Sequence, residues 1–338
     1  MEINTYKEFS IDLMESWNAL LEKSISNVPF LRFEYLADWW KTRGGGEWPA
    51  NAELCIMVGS EGDQIFGIAP FFIAEHDDQK RLLLLGSIEI SDFLDLIVAP
   101  ENEKAFLASV LKYFNDHLVP AGVQAIDLYN LLEDSATVSL FTQAAQMAGF
   151  SVAQTRLLQA PSISLPGDWN AYLESIDKKQ RHEIRRKMRR ATEGEISIEV
   201  SYTAESAKVE EDSEAFMALM AQDPEKEAFL TPAMRDQFRL SIRHAFDNGY
   251  LQLAFLKVGG KNAAAYLNFD YDNRIWVYNS GIDRNFMEYS PGWVLLGHLL
   301  QWANENKRAD FDFMRGNEDY KYKFGAVDRF VCRLTITK

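Results

Sequence analysis

The residues best equipped for chemistry lie between Phe311 and Phe324, FDFMRGNEDYKYKF, where a short alternating strand runs into a Gly turn and a dense cluster of ionisable side chains. Strand ends that discharge polar groups into a turn are where α/β proteins keep their chemistry. Asp312, Arg315, Glu318, Asp319, Tyr320, Lys321 and Lys323 are framed by Phe311, Phe313 and Phe324, and a merely solvated loop rarely carries so many aromatics. Carboxylates, a phenol and cations side by side are the groups that move protons and steady negative charge. The same residues also fit a salt-bridged cluster in which Asp312 and Glu318 neutralise Arg315 and Lys321 and pin the last helix.

Two further stretches carry signals for anions. Between Lys178 and Arg190 stand eight Lys or Arg together with His182, while Ile184 and Met188 lie four apart on one apolar face. Arg181, Arg185 and Arg189 share one stripe, and His182, Arg186 and Arg190 the next. So basic a helix in an acidic protein calls for a partner: substrate phosphates, a tRNA acceptor stem, anionic lipid, or the acidic first half of the chain itself. Ser290-Pro291-Gly292 opens a second helix, with Ser as N-cap and Pro at the first helical position. A helix start of this kind presents unpaired N–H groups and a positive dipole end that suit a pyrophosphate. It also fits a plain core helix, as Trp293, Leu296, Leu299 and Leu300 suggest.

The elements that position these residues follow from a weak internal repeat. ELCIMV from Glu53, IFGIAPFFIA from Ile65 and RLLLLGS from Arg81 are strand-like and are followed by a helix near Glu101 to Leu118 and a strand, AIDLYN, from Ala125. YLQLAFLKV from Tyr250, AAAYLNFDY from Ala263 and RIWVYNS from Arg274 are followed by a helix from Pro291 to about Asn306 and the strand DFDFMR from Asp310. Short connections between the first three strands of each set demand an antiparallel meander, and the intervening helix lets the fourth lie parallel to the third. A Rossmann domain would alternate strand and helix throughout, and this chain does not. The basic helix has Asp177 as N-cap with Gln180 three residues on, and Gly194 where a C-cap belongs. A further helix is expected from Pro232, capped by Thr231, to Asn248-Gly249. The expected architecture is α/β (α+β): two mixed-sheet units, residues 1–165 and 166–338, with helices packed on the sheets.

Composition sets the bounds. The 338 residues carry a formal charge of -15, and Met1 to Ala160 holds 10 Lys and Arg against 23 Asp and Glu, while the remainder is nearly balanced at 25 against 27. Such a chain is no general polyanion binder, and DNA is not expected as a partner. Cys55 and Cys332 are too few for a disulfide framework or a Cys-based metal site, no apolar run approaches the ~20 residues of a membrane span, and the amino-terminal stretch is polar and acidic. These features predict a soluble, cytoplasmic protein without a metal. His298, within an apolar helix, reads as a packing residue.

The order of antiparallel meander, helix and parallel strand resembles the GCN5-related N-acetyltransferase (GNAT) fold, and two such units in tandem resemble the Fem-type aminoacyltransferases. QRHEIRRKMRR, SPGWVLLGHLL and FDFMRGNEDYKYKFG together look like the cellulose-biosynthesis CelD-type acetyltransferase group; the likeness covers roughly Asp168 to Arg333, with the first half a degenerate repeat. The resemblance implies an acyltransferase that takes acetyl-CoA or a longer acyl-CoA as co-substrate and an amine or hydroxyl of a small or cell-envelope-precursor molecule, phosphate-bearing in one version, as acceptor. It implies a donor lined by Asn279, Ser280, Tyr289, Ser290, Gly292 and Trp293, with pantetheine between the third meander strand and its parallel neighbour. Glu318 or Asp312 would then be the base, Arg315 would hold a carboxylate or phosphate, Tyr320 would be the acid and Lys321 would steady negative charge, with Arg181, Arg185 and Arg189 on the substrate. The usual pyrophosphate signature, Gln/Arg-x-x-Gly-x-Gly/Ala, is absent. Two alternatives stand beside this reading: a Fem-type aminoacyl-tRNA-dependent transferase, disfavoured by the acidic balance, and a catalytically silent binding module.

Overall fold

The computed structural model describes every residue except 1, 46, 49–51, 63, 77 and 195. It divides into two units: Met1–Leu158 with Phe330–Lys338, and Gln159–Arg329. The first contains β1 (Glu2–Tyr6), α1 (Met14–Leu21), α2 (Phe33–Thr42), β2 (Glu53–Glu61), β3 (Gln64–His76), β4 (Gln79–Leu84), β5 (Ile97–Val98), α3 (Glu103–Tyr113), β6 (Ala125–Leu132), α4 (Ala136–Met147) and β7 (Ser151–Gln159). The second contains β8 (Ser162–Ser164), α5 (Trp169–Ser175), α6 (Lys178–Glu193), β9 (Ile198–Tyr202), α7 (Val209–Met220), α8 (Pro224–Phe229), α9 (Pro232–Asp247), β10 (Leu251–Val258), β11 (Lys261–Tyr271), β12 (Arg274–Ile282), α10 (Pro291–Glu305), β13 (Asp310–Asp312) and α11 (Asp319–Lys323). The last strand, β14 (Phe330–Thr337), joins the first sheet, whose order is β1-β2-β3-β4-β6-β14-β7 with β5 beside β3. The sequence reading divides the chain at 165 and leaves this strand in the second half. Its alternating side chains are satisfied by antiparallel pairing with β6, Thr337 opposite Ala125 and Val331 opposite Leu132.

The second sheet runs β8-β13-β12-β11-β10-β9. β10, β11 and β12 form the antiparallel meander, and β13 lies parallel to β12 after the α10 crossover. In the first unit β2, β3 and β4 repeat the meander and β6 lies parallel to β4 after α3. Both registers match: Arg81–Leu83 pair with Ala125–Asp127, and Arg274–Trp276 pair with Asp310–Asp312. Neither parallel pairing extends beyond three residues, so each unit contains a fork where the two strands part.

Local chemistry fixes the helices of the second unit. Asp177 accepts from the N–H groups of Lys179 and Gln180 at the start of α6, and the Thr231 hydroxyl accepts from Met234 N–H at the start of α9, as their sequences predict. α5, α6 and α10 cover one face of the sheet, α7 and α9 the other. β10 is therefore buried on both faces over most of its length. Val294, Leu295, Leu296, Leu299 and Leu300 of α10 are buried against Ala254, Leu256, Ala264 and Tyr266, and each such leucine contributes about 1.5–3 kcal/mol. Ile184 is buried, and Met188 packs so closely on Gly297 that a Cβ there would come 2.8 Å from its sulfur. The apolar row of α6 is thus spent on α10.

Candidate functional site

The fork of the second unit is built by a bulge and two glycines. The β11–β12 register shifts between Leu267 and Asn268, after which β12 runs on to Ile282 with no strand partner among the described residues on its β13 side. A Cβ at Gly281 would lie 2.3 Å from the Met220 nitrogen at the end of α7, and one at Gly292 would lie 2.5 Å from Ile282 Cδ1. Both positions need glycine because the end of β12 is wedged between α7 and the start of α10. Ser290 departs from the expected N-cap: it adopts φ 52°, ψ 50°, and its side chain makes no capping hydrogen bond. The first turn of α10 thus lacks the side-chain acceptor that an N-cap would supply.

Two cavities flank the segment that joins β12 to α10. One, of about 290 Å³, is lined by Arg186, Lys187 and Arg190 of α6, by Ile196, and by Glu288, Tyr289 and Ser290; Arg186 there also donates to Glu183 through Nε at 2.9 Å and Nη2 at 2.8 Å. The other, of about 330 Å³, is lined by Asp223, Lys226, Ser280, Gly281, Ile282 and Arg284. Basic helix and α10 start therefore meet, but through a different face of α6 from the one expected. Arg185 is exposed, Arg189 lies 3.7 Å from Glu193, and Arg181 reaches the Leu173 carbonyl at 3.5 Å. None of these three lines the cavity. Lys187 lies 4.4 Å over the Trp293 ring, which packs on Phe324 at 4.7 Å. The buried Trp293 indole N–H has no hydrogen-bond partner among the described residues.

At the parting of the strands the polar cluster resolves into separate duties. Asp312 is fully buried, ion-paired with Arg329, and accepts from Met314 N–H at 2.8 Å. Burial pushes its pKa up while Arg329 pulls it down. It holds the turn after β13, and a carboxylate enclosed and paired in this way is not placed to take a proton from a substrate. Lys321 is buried as well. Its ammonium donates to the carbonyls of Arg315 at 2.9 Å and Gly316 at 3.0 Å and to Glu318 Oε2 at 2.8 Å, which uses all three of its hydrogens. The Arg315 side chain is partly buried, and its carbonyl helps tie that turn. Glu318 is different: its side chain is 58% exposed and keeps one oxygen beyond the Lys321 contact. Tyr320 packs edge-on to Phe313, and burial, with Tyr266 and Glu318, holds its phenol well above the ordinary 10.

Lys226, on α8, is a member of this site that the sequence reading misses. Its ammonium donates to Asn279 Oδ1 at 3.0 Å and to the Ser280 carbonyl at 2.6 Å, at the unpaired edge of β12. Asn279 Oδ1 also accepts from Ser280 N–H at 2.8 Å. Burial lowers the Lys226 pKa, Lys321 adds to that, and Asp223 and Glu318 oppose it. A lone lysine in KEAF, with no periodic partner, gives no sequence signal of this contact. For the cavity-lining stripe the sequence carries part of one: Lys187 stands next to the Ile184–Met188 row, and that row packs on α10.

Residues 178–322 match a family model described as an acetyltransferase (GNAT) domain. The GNAT match begins at the first residue of α6 and ends within α11, so it takes in the basic helix, the fork and the terminal cluster. It is a match to the domain and not to the CelD-type group. No curated protein matches the chain. Among solved structures, FemX is similar at 12% identity and TM-score 0.67, covering 98% of this chain and 97% of its own. A conserved protein of unknown function from Bacteroides thetaiotaomicron VPI-5482 is similar at 11% identity and TM-score 0.63, covering 99% and 100%. L-PGS from Bacillus licheniformis is similar at 13% identity and TM-score 0.59, covering 97% and 92%. At such identities the likeness is one of fold, and the fold is the mixed α/β, tandem GNAT arrangement. Among the described residues, no group of three or more His, Cys, Asp or Glu side chains is placed to hold a metal ion, and no helix is long and apolar enough to cross a membrane.

Proposed function

We propose that the second unit transfers an acyl group from a phosphate-bearing thioester of the coenzyme A type to an amine or hydroxyl, at the fork between β12 and β13. The observation that carries this reading is the meeting of the cationic cavity of Arg186, Lys187 and Arg190 with the uncapped start of α10, on the segment that follows the strand edge where Lys226 is bonded to Asn279 and Ser280 and is within electrostatic reach of Glu318, with Tyr320 two residues on. Phosphates at the first and an acyl group at the second match the extended shape of such a donor. The acceptor's lone pair attacks the acyl carbonyl carbon, and the carbonyl electron pair moves onto oxygen. Glu318, exposed at the fork, takes the acceptor's proton. Collapse re-forms the carbonyl and breaks the carbon–sulfur bond; the thiolate leaves with the proton returned by Glu318. Tyr320, kept protonated by its raised pKa, is too weak an acid to supply that proton and serves as a neutral hydrogen-bond donor to the departing sulfur. Lys321 and Asp312 hold the turn that carries both.

A second reading, an aminoacyl-tRNA-dependent transferase of the Fem type, is favoured by the missing pyrophosphate signature in RNFMEYSPG and by the extent of the fold likeness to FemX. Thermal shift against acetyl-CoA, a longer acyl-CoA and total tRNA separates the two. At ~1 mM thioester a micromolar binder gains about 2.7 kcal/mol or more, a rise of several degrees. Stabilisation by tRNA alone would transfer the site to the second reading.

A further inference from the structure

We propose that Lys226 is a catalytic residue of this fork, whose ammonium donates a hydrogen bond to the carbonyl oxygen of the acyl group as negative charge gathers there. The inference rests on the reading that acyl transfer occurs at the fork. Two lysines lie at the site, Lys321 of α11 and Lys226 of α8. The count of donors distinguishes them. An ammonium has three hydrogens; Lys321 commits all three to Arg315 O, Gly316 O and Glu318 Oε2. Lys226 commits two, to Asn279 Oδ1 and Ser280 O, and keeps one.

Those two bonds also aim the third. Asn279 and Ser280 belong to the stretch of β12 that has left β13, and Lys226 lines the cavity of about 330 Å³ along that edge. Ser280 N–H is taken by Asn279 Oδ1, so the Ser280 amide, which would otherwise face an acyl oxygen from the strand edge, is already occupied. Lys226 supplies a charged donor in its place. Burial puts the Lys226 ammonium in a region of low dielectric and Asp223 and Glu318 favour its charge; a fixed cation acts most strongly on developing charge in such a place. α8 is held over the fork by this side chain and by the Asp223–Arg284 pair at 3.5 Å.

The test has two parts, both on the full chain. In the first, the Lys226 ammonium is followed by NMR in 15N-lysine-labelled protein, its signal assigned by its loss in Lys226→Arg, during titration with acetyl-CoA and, separately, with methylphosphonate as a small oxyanion. A shift of that signal with either ligand supports the proposal, and a signal that neither moves overturns it. In the second, release of thiol from acetyl-CoA is measured with ethanolamine as a generic acceptor. Lys226→Met should lose about 10²–10³-fold in kcat with KM for the thioester within about threefold, as for removal of an oxyanion donor, and Lys226→Arg should recover part of the loss. A lower melting temperature with kcat per folded molecule unchanged would show a structural lysine and overturn the proposal. If acetyl-CoA neither binds nor turns over while methylphosphonate still moves the Lys226 signal, the donor reading fails and the oxyanion site stands.

Discussion

Two forks in this molecule start from the same register and end differently. In the first unit β4 and β6 part after Leu83 and Asp127; in the second β12 and β13 part after Trp276 and Asp312. Asp127 and Asp312 occupy matched positions, both fully buried and both paired with arginine: Asp127 with Arg81 and Arg333, Asp312 with Arg329. Beyond that point the first fork is filled by its own chain. The segment from Leu85 to Leu96 is largely buried, and Asn130 of β6 binds it by donating to the carbonyls of Ile88 at 2.7 Å and Ser91 at 2.8 Å and by accepting from Leu94 N–H at 3.0 Å. Trp48 donates to the Ser87 carbonyl from the other side. In the second fork β12 continues as a strand for six more residues, and polar side chains with a cavity occupy the space. The comparison separates what the repeat needs for folding, the buried aspartate, from what only one copy has, the open edge and its ionisable rim.

The largest effect should come from Glu318→Gln, with turnover falling about 10²–10⁴-fold, the usual worth of a general base, and thioester affinity unchanged in calorimetry. Unaltered turnover would remove the base from Glu318. Next, Asp127→Ala and Asp312→Ala should each cost about 1–3 kcal/mol in urea unfolding, because each removes a fully buried carboxylate and its charge-assisted hydrogen bonds to arginine; a loss at one site only would break the equivalence of the forks. Arg186→Glu with Arg190→Glu should raise KM for acetyl-CoA about tenfold, about 1.4 kcal/mol, while Arg185→Glu with Arg189→Glu should leave it unchanged. The reverse pattern would return the anion site to the outer stripe of α6.

The smallest effect is in pH. Burial places the Lys226 pKa below the ordinary 10.5, while that of Tyr320 is raised well above 10, so Lys226 sets the alkaline limb. Activity should fall as pH rises through a value below 10.5 and should not in Lys226→Arg. Over that window the unfolded chain binds more protons at this site than the folded one, so Lys226 makes stability rise with pH. Loss of activity there is therefore not loss of fold, and circular dichroism over the same range checks it.

Strand order, the repeat and the parallel fourth strand were legible in the sequence because connection length and periodicity dictate them, and Asp177 and Thr231 mark their helices through local capping alone. The fork itself was legible as the place after RIWVYNS and DFDFMR. What escaped depends on tertiary packing. Lys226 sits in a short helix with no pattern; the face of α6 that meets α10 was one of several basic rows; the left-handed backbone of Ser290 has no mark in SPG; and β14 pairs with β6 of the first unit. Asp312 looked catalytic because burial, which turns a carboxylate into a structural anchor, leaves no mark on sequence spacing.

Hydrogen exchange read by mass spectrometry, with and without acetyl-CoA at ~1 mM, tests the difference between the forks most directly. The account predicts new protection across Val277–Val294 and in α8, and none across Leu83–Leu96. Protection in the first fork, or none in the second, would contradict it.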